Sequence, residues 1–494
     1  MNFPIICLAA DLGAGSGRVL AGLYDGEKLT LEEVNRFPNE PIKMESGWHW
    51  QFDKLFEEIR KGIVLAMETH GTKIASIGVD TWGVDYGLLD AEGSLLGVPY
   101  QYRDARTDGM EELAFSKMPK EDIYGRTGIQ FMFFNTLFQL LAEARSSNAL
   151  LEKADTILFL PDLINYKLTG RRAVERSIAS TGQLLNAATQ NWDTDLISAM
   201  GFPQKIFGEL VDAGTDLGPM LQGVHGVPGE EAEIRVIAPG CHDTASAVAG
   251  IPAEESEPVF LSSGTWSLMG RELKRPLVSD RGFEEGFSNE AGVSGTTRFL
   301  KNIAGMWFLQ ESKRHWDAEG KNLGFADLVV AASSAKPFTA LIDPDAPEFR
   351  APEHMPSAIT AWLEKTGQPA LTEPADLTRC ILESLALKYR QVKESLVELT
   401  GKPIDRIYIV GGGSQNDLLN QFAADAANCT VVAGPVEATS IGNILIQLQT
   451  LGAIDSLQEG RALVRKSFPV KTFSPAPSTA WDAAYEKFLK LQSI

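Results

Sequence analysis

The sequence predicts an α/β protein built as two similar halves, each opening with a strand, a glycine-rich turn and a returning strand. Three observations lead there. A nearly continuous apolar run, Ile5 to Ala10, ends in Asp11 and enters "DLGAGSGR" (11–18). Val259-Phe260-Leu261 runs in the same way into "SSGTWSLMG" (262–270), and each hairpin is followed by amphipathic helices and further apolar strands. At 494 residues the chain is too long for one ordinary core. Two domains are expected, 1–247 and 248–494, with an active-site cleft between them.

Taken in order, Ile5 to Ala10 reads as a strand buried on both faces. The glycines 13, 15 and 17 look at first like a dinucleotide fingerprint, in which the last glycine opens a helix under a pyrophosphate. Here Arg18 is followed instead by Val19-Leu20-Ala21-Gly22-Leu23-Tyr24, the pair Asp25-Gly26 and the alternating Leu29-Thr30-Leu31. An Asp-Gly pair between two such runs marks a hairpin. The glycines therefore belong to a tight turn between strands, where bare backbone N–H groups could cradle a phosphate without a helix. Leu55, Ile59, Ile63 and Ala66 recur at helical spacing. "IGVDTWGVDYGLLDAEG" (77–93) reads as strand, turn, strand and a second turn. In the second half, Ile381, Leu385, Tyr389, Val392, Leu396 and Leu399 mark one long helix stopped by Gly401 and Pro403. The strand Ile407 to Val410, the glycines 411–413 and a helix with Leu418, Leu419, Phe422 and Ala426 follow.

Composition narrows the function. The formal net charge is −20, with 22% charged and 44% apolar residues. Such a surface repels nucleic acid and anionic lipid, so neither is an expected partner. It also repels a nucleotide at long range, and a phosphate site must then rely on local N–H groups, one or two cations and a metal. Cys7, Cys241, Cys380 and Cys429 are scattered without a C-x-x-C pair. They read as small buried apolar residues in a reducing compartment. With no basic region ahead of an apolar stretch at the N-terminus and no run of membrane-spanning length, a cytoplasmic location is expected.

Six segments in order, "DLGAGSGR", "DTWGVD", "HDTASAV", "SSGTWSLMG", "KNIAGMWFLQE" and "VGGGSQNDLLNQFAADA", resemble the FGGY carbohydrate kinases of the actin-like ATPase superfamily. The resemblance runs from residue 11 to beyond 440. It implies two ribonuclease-H-like domains, with ATP and a small ketose sugar between them. It also implies transfer of the γ-phosphoryl group of ATP to a ketose hydroxyl, the 1-hydroxyl in members acting on L-rhamnulose. L-fuculose, xylulose or a related polyol is the alternative acceptor. Carried over by position, Ala14, Gly15, Ser16, Gly17 and Arg18 would hold the ATP phosphates, and Asp11 would orient Mg2+ through water. Gly83, His242, Asp243, Thr244 and Asn302 would bind the sugar, with Asp243 the catalytic base. Thr265, Gln310, Gly411, Gly412 and Gly413 would meet the nucleotide.

The chemistry fits Asp243. An alcohol nucleophile needs a carboxylate within hydrogen-bond reach to take its proton as the bond to phosphorus forms. Gly240 breaks the chain just before it, and Thr244, Ala245 and Ser246 can start a helix, whose N-terminus favours an anion. Taken singly, Asp243 would read as a helix cap, Asp11 as a turn former, His242 as a structural histidine and Gly411 to Gly413 as a flexible turn. Their order in the chain is what selects the functional readings. After Glu175, where many members carry an Asn, this chain has Arg176-Ser177-Ile178-Ala179-Ser180, so Thr181 and Gln183 are the expected substitutes. Trp48 and Trp50 are as well explained by core packing as by a sugar platform. A regulator or chaperone of the same superfamily would need a basic helix-turn-helix or an attached peptide-binding domain, neither of which the sequence shows. A nicotinamide-dependent oxidoreductase fails on the hairpin after Gly17.

Overall fold

The computed structural model describes residues 3–147, 149–224, 233–350, 352–476 and 478–492, apart from the side chain of Thr72. Two compact units emerge. The first comprises residues 1–256, 272–299 and 438–468, and the second 257–271, 300–437 and 469–494. The first unit's sheet contains β1 (Ile5–Leu12), β2 (Ser16–Tyr24), β3 (Leu29–Pro38), β4 (Ile74–Thr81), β5 (Asp216–Pro219) and β6 (Arg235–Ile237). The second unit uses β7 (Val259–Ser263), β8 (Trp266–Leu273), β9 (Thr297–Ala304), β10 (Arg406–Val410), β11 (Thr430–Ala433) and β12 (Lys471–Phe473). The helices needed below are α1 (Phe52–His70), α2 (Asp243–Ala249), α3 (Trp307–Ala318), α4 (Pro374–Thr400), α5 (Asp417–Ala427) and α6 (Ala438–Thr450).

The same plan is used twice. In the first sheet the order is β5-β6-β4-β1-β2-β3, with β1 to β3 antiparallel and β4 and β6 parallel to β1. In the second, of seven strands, the strand Ser288–Ala291 lies at one edge beside β9, and the order continues β9-β8-β7-β10-β11-β12, with β7 and β8 antiparallel and β10 and β11 parallel to β7. A hairpin beside parallel strands leaves the sheet centre buried on both faces, and β1 shows the consequence. Its Ile6, Leu8, Ala10 and Leu12 share a core with Leu55, Ile59, Ile63 and Ala66 of α1. Its Ile5, Cys7 and Ala9 pack on Ile441, Ile444, Leu445 and Leu448 of α6. Burying each of the large aliphatic side chains contributes about 1.5–3 kcal/mol, and only an uninterrupted apolar run can serve both faces.

The expected hairpin turn is at Asp25-Gly26, where Gly26 takes φ 97° and Asp25 accepts from the N–H groups of Glu27 and Lys28. Helix α4 begins at Pro374, earlier than its periodicity suggested, and stops at Gly401 in the left-handed conformation. The segment 77–93 departs from expectation. After β4 the chain turns at Val84, φ 69°, and the strand Tyr86–Leu89 pairs antiparallel with Thr156–Phe159 rather than returning along β4. All four cysteines are buried and unpaired. Burial pushes the Cys7 and Cys380 thiols up to about 12 and that of Cys429 to about 11. Among the described residues no helix is long and apolar enough to cross a membrane.

Candidate active site

Strand β1 ends at a loop made almost entirely of backbone. The Gly13 N–H donates to the Ser16 carbonyl at 2.9 Å, and Asn39 ties the loop down, its side chain donating to the Gly13 carbonyl and its N–H to that of Gly15. The N–H groups of Ala14 and Gly15 have no protein partner among the described residues. Gly15 is exposed and Ala14 half-buried. Gly17 is different: a Cβ there would lie 2.4 Å from the Phe37 ring, so packing alone requires the glycine. Arg18, opposite Asp11 in the β1–β2 ladder, donates to its Oδ2 at 2.8 Å.

Parallel pairing of β1 and β4 places Asp80 directly beside Asp11. Helix α6 reaches both through residues at helical spacing. Ser440 Oγ donates to Asp11 Oδ2 at 2.7 Å and Asn443 Nδ2 to Asp80 Oδ2 at 2.6 Å. Gln447 continues the stripe, donating to Asn443 Oδ1 and the Leu8 carbonyl and accepting from Ser76 Oγ. Asp80 is fully buried and its Oδ1 has no partner among the described residues. Burial, followed by the neighbouring Asp11, holds its carboxyl well above the usual range. Since β1 and β4 each end an apolar strand in Asp, the second carboxylate had a sequence signal, but only strand pairing brings the two side by side.

The end of β4 also fixes Asp243, the expected base. The Thr81 N–H donates to the Cys241 carbonyl at 2.9 Å, and Thr81 bridges to His242. Glu175 accepts from the N–H groups of Ser177, Ile178 and Cys241, and Ser177 Oγ accepts from the N–H of His242. With its N-cap at His242, α2 places Asp243 in its first turn, as the residue pattern suggested. A third of the Asp243 side-chain surface is accessible, 33%. Its Oδ1 accepts from Thr244 Oγ1 at 3.0 Å, and Oδ2 has no partner among the described residues. Burial raises the Asp243 carboxyl above its ordinary value, outweighing the opposing pull of His242 and Thr244. The anion-favouring helix terminus expected from sequence is therefore not the dominant influence.

Gly83 lies at the β4 turn against Thr181, and a Cβ there would meet Thr181 Oγ1 at 3.0 Å. Thr181 Oγ1 accepts from the Val84 N–H, while Gln183 bonds Asn135 and the Ile129 carbonyl, so both expected substitutes make hydrogen bonds in this region. Trp48 is 42% exposed, whereas Trp50 is fully buried and packs on Trp82 at 4.4 Å. Both buried indoles donate to Asp85 Oδ2, at 2.6 and 2.8 Å, and Gln139 donates to Oδ1. Burial pushes the Asp85 carboxyl up to about 6. A raised folded pKa stabilises most below the unfolded value, and this contribution is lost as pH rises through about 6. Urea unfolding at pH values across that range should therefore show the wild type losing stability relative to Asp85→Asn as pH rises.

In the second unit, Thr265 Oγ1 donates to Gln310 Oε1 at 3.0 Å. The Thr265 carbonyl accepts from the N–H groups of Gly305 and Trp307, which ties the β7–β8 turn to the start of α3. Gly305 permits this approach, since a Cβ would come within 2.7 Å of Trp266. Asn302 is half-buried on β9. At the end of β10, Gly411 has φ 83°, and Cβ atoms at Gly411 and Gly413 would strike Ser263 at 2.9 and 2.0 Å. Those two glycines are thus required by the neighbouring strand β7. Gly412 is exposed with nothing within 4 Å of its Cβ position, and it alone of the three presents open backbone.

Residues 6–250 match the N-terminal domain of the FGGY family of carbohydrate kinases, and residues 259–451 match its C-terminal domain. This chain belongs to that family. It is therefore a carbohydrate kinase, a phosphotransferase with an alcohol acceptor. It is 45% identical to a rhamnulokinase of Bacteroides thetaiotaomicron, covering 97% of this chain and 98% of the relative. A rhamnulokinase of Oceanobacillus iheyensis is 40% identical over 94% of this chain and 98% of its own. In fold it is similar to the ligand-bound xylulose kinase of Lactobacillus acidophilus, with a TM-score of 0.83 at 16% identity, covering 99% and 98% of the two chains.

Set against this FGGY kinase's geometry, the residue pattern missed the supporting shell. Asp80 and the helix carrying Ser440, Asn443 and Gln447 are hundreds of residues apart, and Ser440 to Gln447 lie outside the six resembling segments. Asp85 and its donor Trp82 were within a quoted motif, but its other donors, Trp50 and Gln139, were dispersed. Glu290 and Arg298, which touch His242, carried no local signature.

Proposed function

We propose that this FGGY kinase transfers the γ-phosphoryl group of ATP to the 1-hydroxyl of L-rhamnulose, giving L-rhamnulose 1-phosphate and ADP in L-rhamnose catabolism. The observation that carries the choice of sugar is the near-full-length identity to the Bacteroides thetaiotaomicron rhamnulokinase. Asp243 is the general base: its Oδ2 accepts the hydroxyl proton as the oxygen–phosphorus bond forms and ADP departs. The half-buried carboxylate with one unengaged oxygen supports that role. Gly83, His242, Thr244 and Asn302 hold the sugar. Ala14, Gly15, Ser16, Gly17 and Arg18 receive the phosphates, supported by the two open N–H groups of the loop. Thr265, Gln310 and Gly411 to Gly413 serve the nucleotide. We propose the chain-order division 1–247 for sugar and phosphate loop and 248–494 for nucleotide, with 272–299 and 438–468 packed into the first unit.

The Asp11 carboxylate suits Mg2+, which favours oxygen ligands and keeps several of its waters. Arg18 and Ser440 both bond its Oδ2, and Oδ1 would be the oxygen through which Asp11 orients the ion. Bound with ATP, the ion supplies charge neutralisation on the transferring phosphoryl group. The buried, unpaired thiols support a reducing cytoplasmic setting.

The test is ADP release with Mg-ATP across L-rhamnulose, L-fuculose, L-xylulose, D-xylulose and glycerol. Turnover dominated by L-rhamnulose is expected. Dominant turnover on another acceptor would keep the mechanism and replace the substrate, and silence on all five would overturn the reading.

A further inference from the structure

Behind His242 lies a buried ion pair that the reaction as described leaves unused. Arg298, on β9, is completely buried, and Glu290, on the strand Ser288–Ala291, is 5% exposed. Arg298 Nη2 sits 3.1 Å from Glu290 Oε2, Nε donates to the Ala291 carbonyl, and Nη1 lies 3.1 Å from His242 Nδ1 in hydrogen-bonding geometry. Glu290 Oε2 is 3.2 Å from the same ring nitrogen, and Arg298 Nη1 is the nearer of the two. On the far side of the ring, Nε2 faces Asp243 Oδ1 at 3.4 Å.

A guanidinium has five donors and no acceptor. A ring nitrogen that bonds to it must therefore accept, and the proton of the neutral imidazole goes to the other nitrogen. We infer that Arg298 is a positioning residue: by donating to His242 Nδ1 it fixes the tautomer with the proton on Nε2, directed at Asp243 Oδ1. The N–H then lies beside Oδ1, which accepts from Thr244 Oγ1, and Oδ2 is left for the acceptor hydroxyl. Glu290 balances the guanidinium charge, so the arginine can be held without solvent. The other carboxylates that act on Arg298 are Asp243, Glu175 and Glu272. The inference rests on Asp243 being the base and adds the device that orients it.

Nitrogen-15 NMR of histidine-labelled enzyme reads the tautomer directly, the His242 signals being those that vanish in His242→Asn. A bare Nδ1 and a protonated Nε2 are expected in the wild type. A protonated Nδ1 would overturn the inference, because the ring would then donate to Glu290. The paired substitution Glu290→Gln with Arg298→Met leaves no buried charge unpaired. It should return a proton to Nδ1 and lower kcat about 10- to 100-fold, with the sugar KM moving less than about threefold. An unchanged tautomer, or unchanged kcat with an altered tautomer, would count against it. Should the double variant fail to fold, the wild-type spectrum alone decides. Full turnover by Asp243→Asn would remove the base assignment beneath the inference, a result separable from the tautomer reading.

Discussion

Replacing Asp243 with asparagine is expected to lower kcat by about 10²- to 10⁴-fold while the KM for the sugar stays within about threefold. The amide keeps the shape of the side chain and can still accept from Thr244, so sugar binding should survive. What it loses is the ability to take the hydroxyl proton at Oδ2. Steady-state ADP release together with sugar binding by calorimetry checks the split, and equal losses in both would show that Asp243 binds rather than catalyses. The wild-type pH profile carries a second signature. Only the ionised carboxylate is a base, so kcat falls as pH drops through its pKa. Burial raises that pKa from the ordinary 3.8, and the acid limb should lie correspondingly above that of an exposed aspartate.

Gly442→Ala should destabilise the protein by about 3 kcal/mol, the upper end for overpacking. A Cβ at 442 would lie 1.8 Å from the Ser246 carbonyl oxygen, and one at Gly250 would lie 2.1 Å from that of Ala438. The obstruction is backbone on both sides, so no side chain can swing away, and α2 and α6 must separate. Separation would move α2, which carries Asp243, and α6, which carries Ser440 and Asn443, so activity should fall together with stability. Urea unfolding followed by fluorescence, with kcat measured on the folded fraction, tests this. An unchanged unfolding midpoint would mean that the two helices adjust without cost.

The amino-acid sequence by itself determined the α/β class, the repeated hairpin plan, the turn at Asp25-Gly26, the helical stretches from Leu55 to Ala66 and from Ile381 to Leu399, and the family. Each of these rests on neighbours in the chain: the double-sided apolar run of β1 and the spacing of Leu55, Ile59 and Ile63 are local patterns with local causes. The start of α2 at Asp243 was legible for the same reason. The tertiary structure alone decided that Tyr86–Leu89 pairs with Thr156–Phe159, that Gly411 and Gly413 serve Ser263, and that burial governs the Asp243 carboxyl. It alone set Asp80 beside Asp11 and brought Ser440, Asn443, Glu290 and Arg298 to the site. These outcomes depend on which elements lie across from one another, and hydrogen bonds such as Ser440 to Asp11 join residues 429 positions apart. A side chain's type and spacing announce what it can do locally. Its partner, and the water it loses on burial, are set by packing.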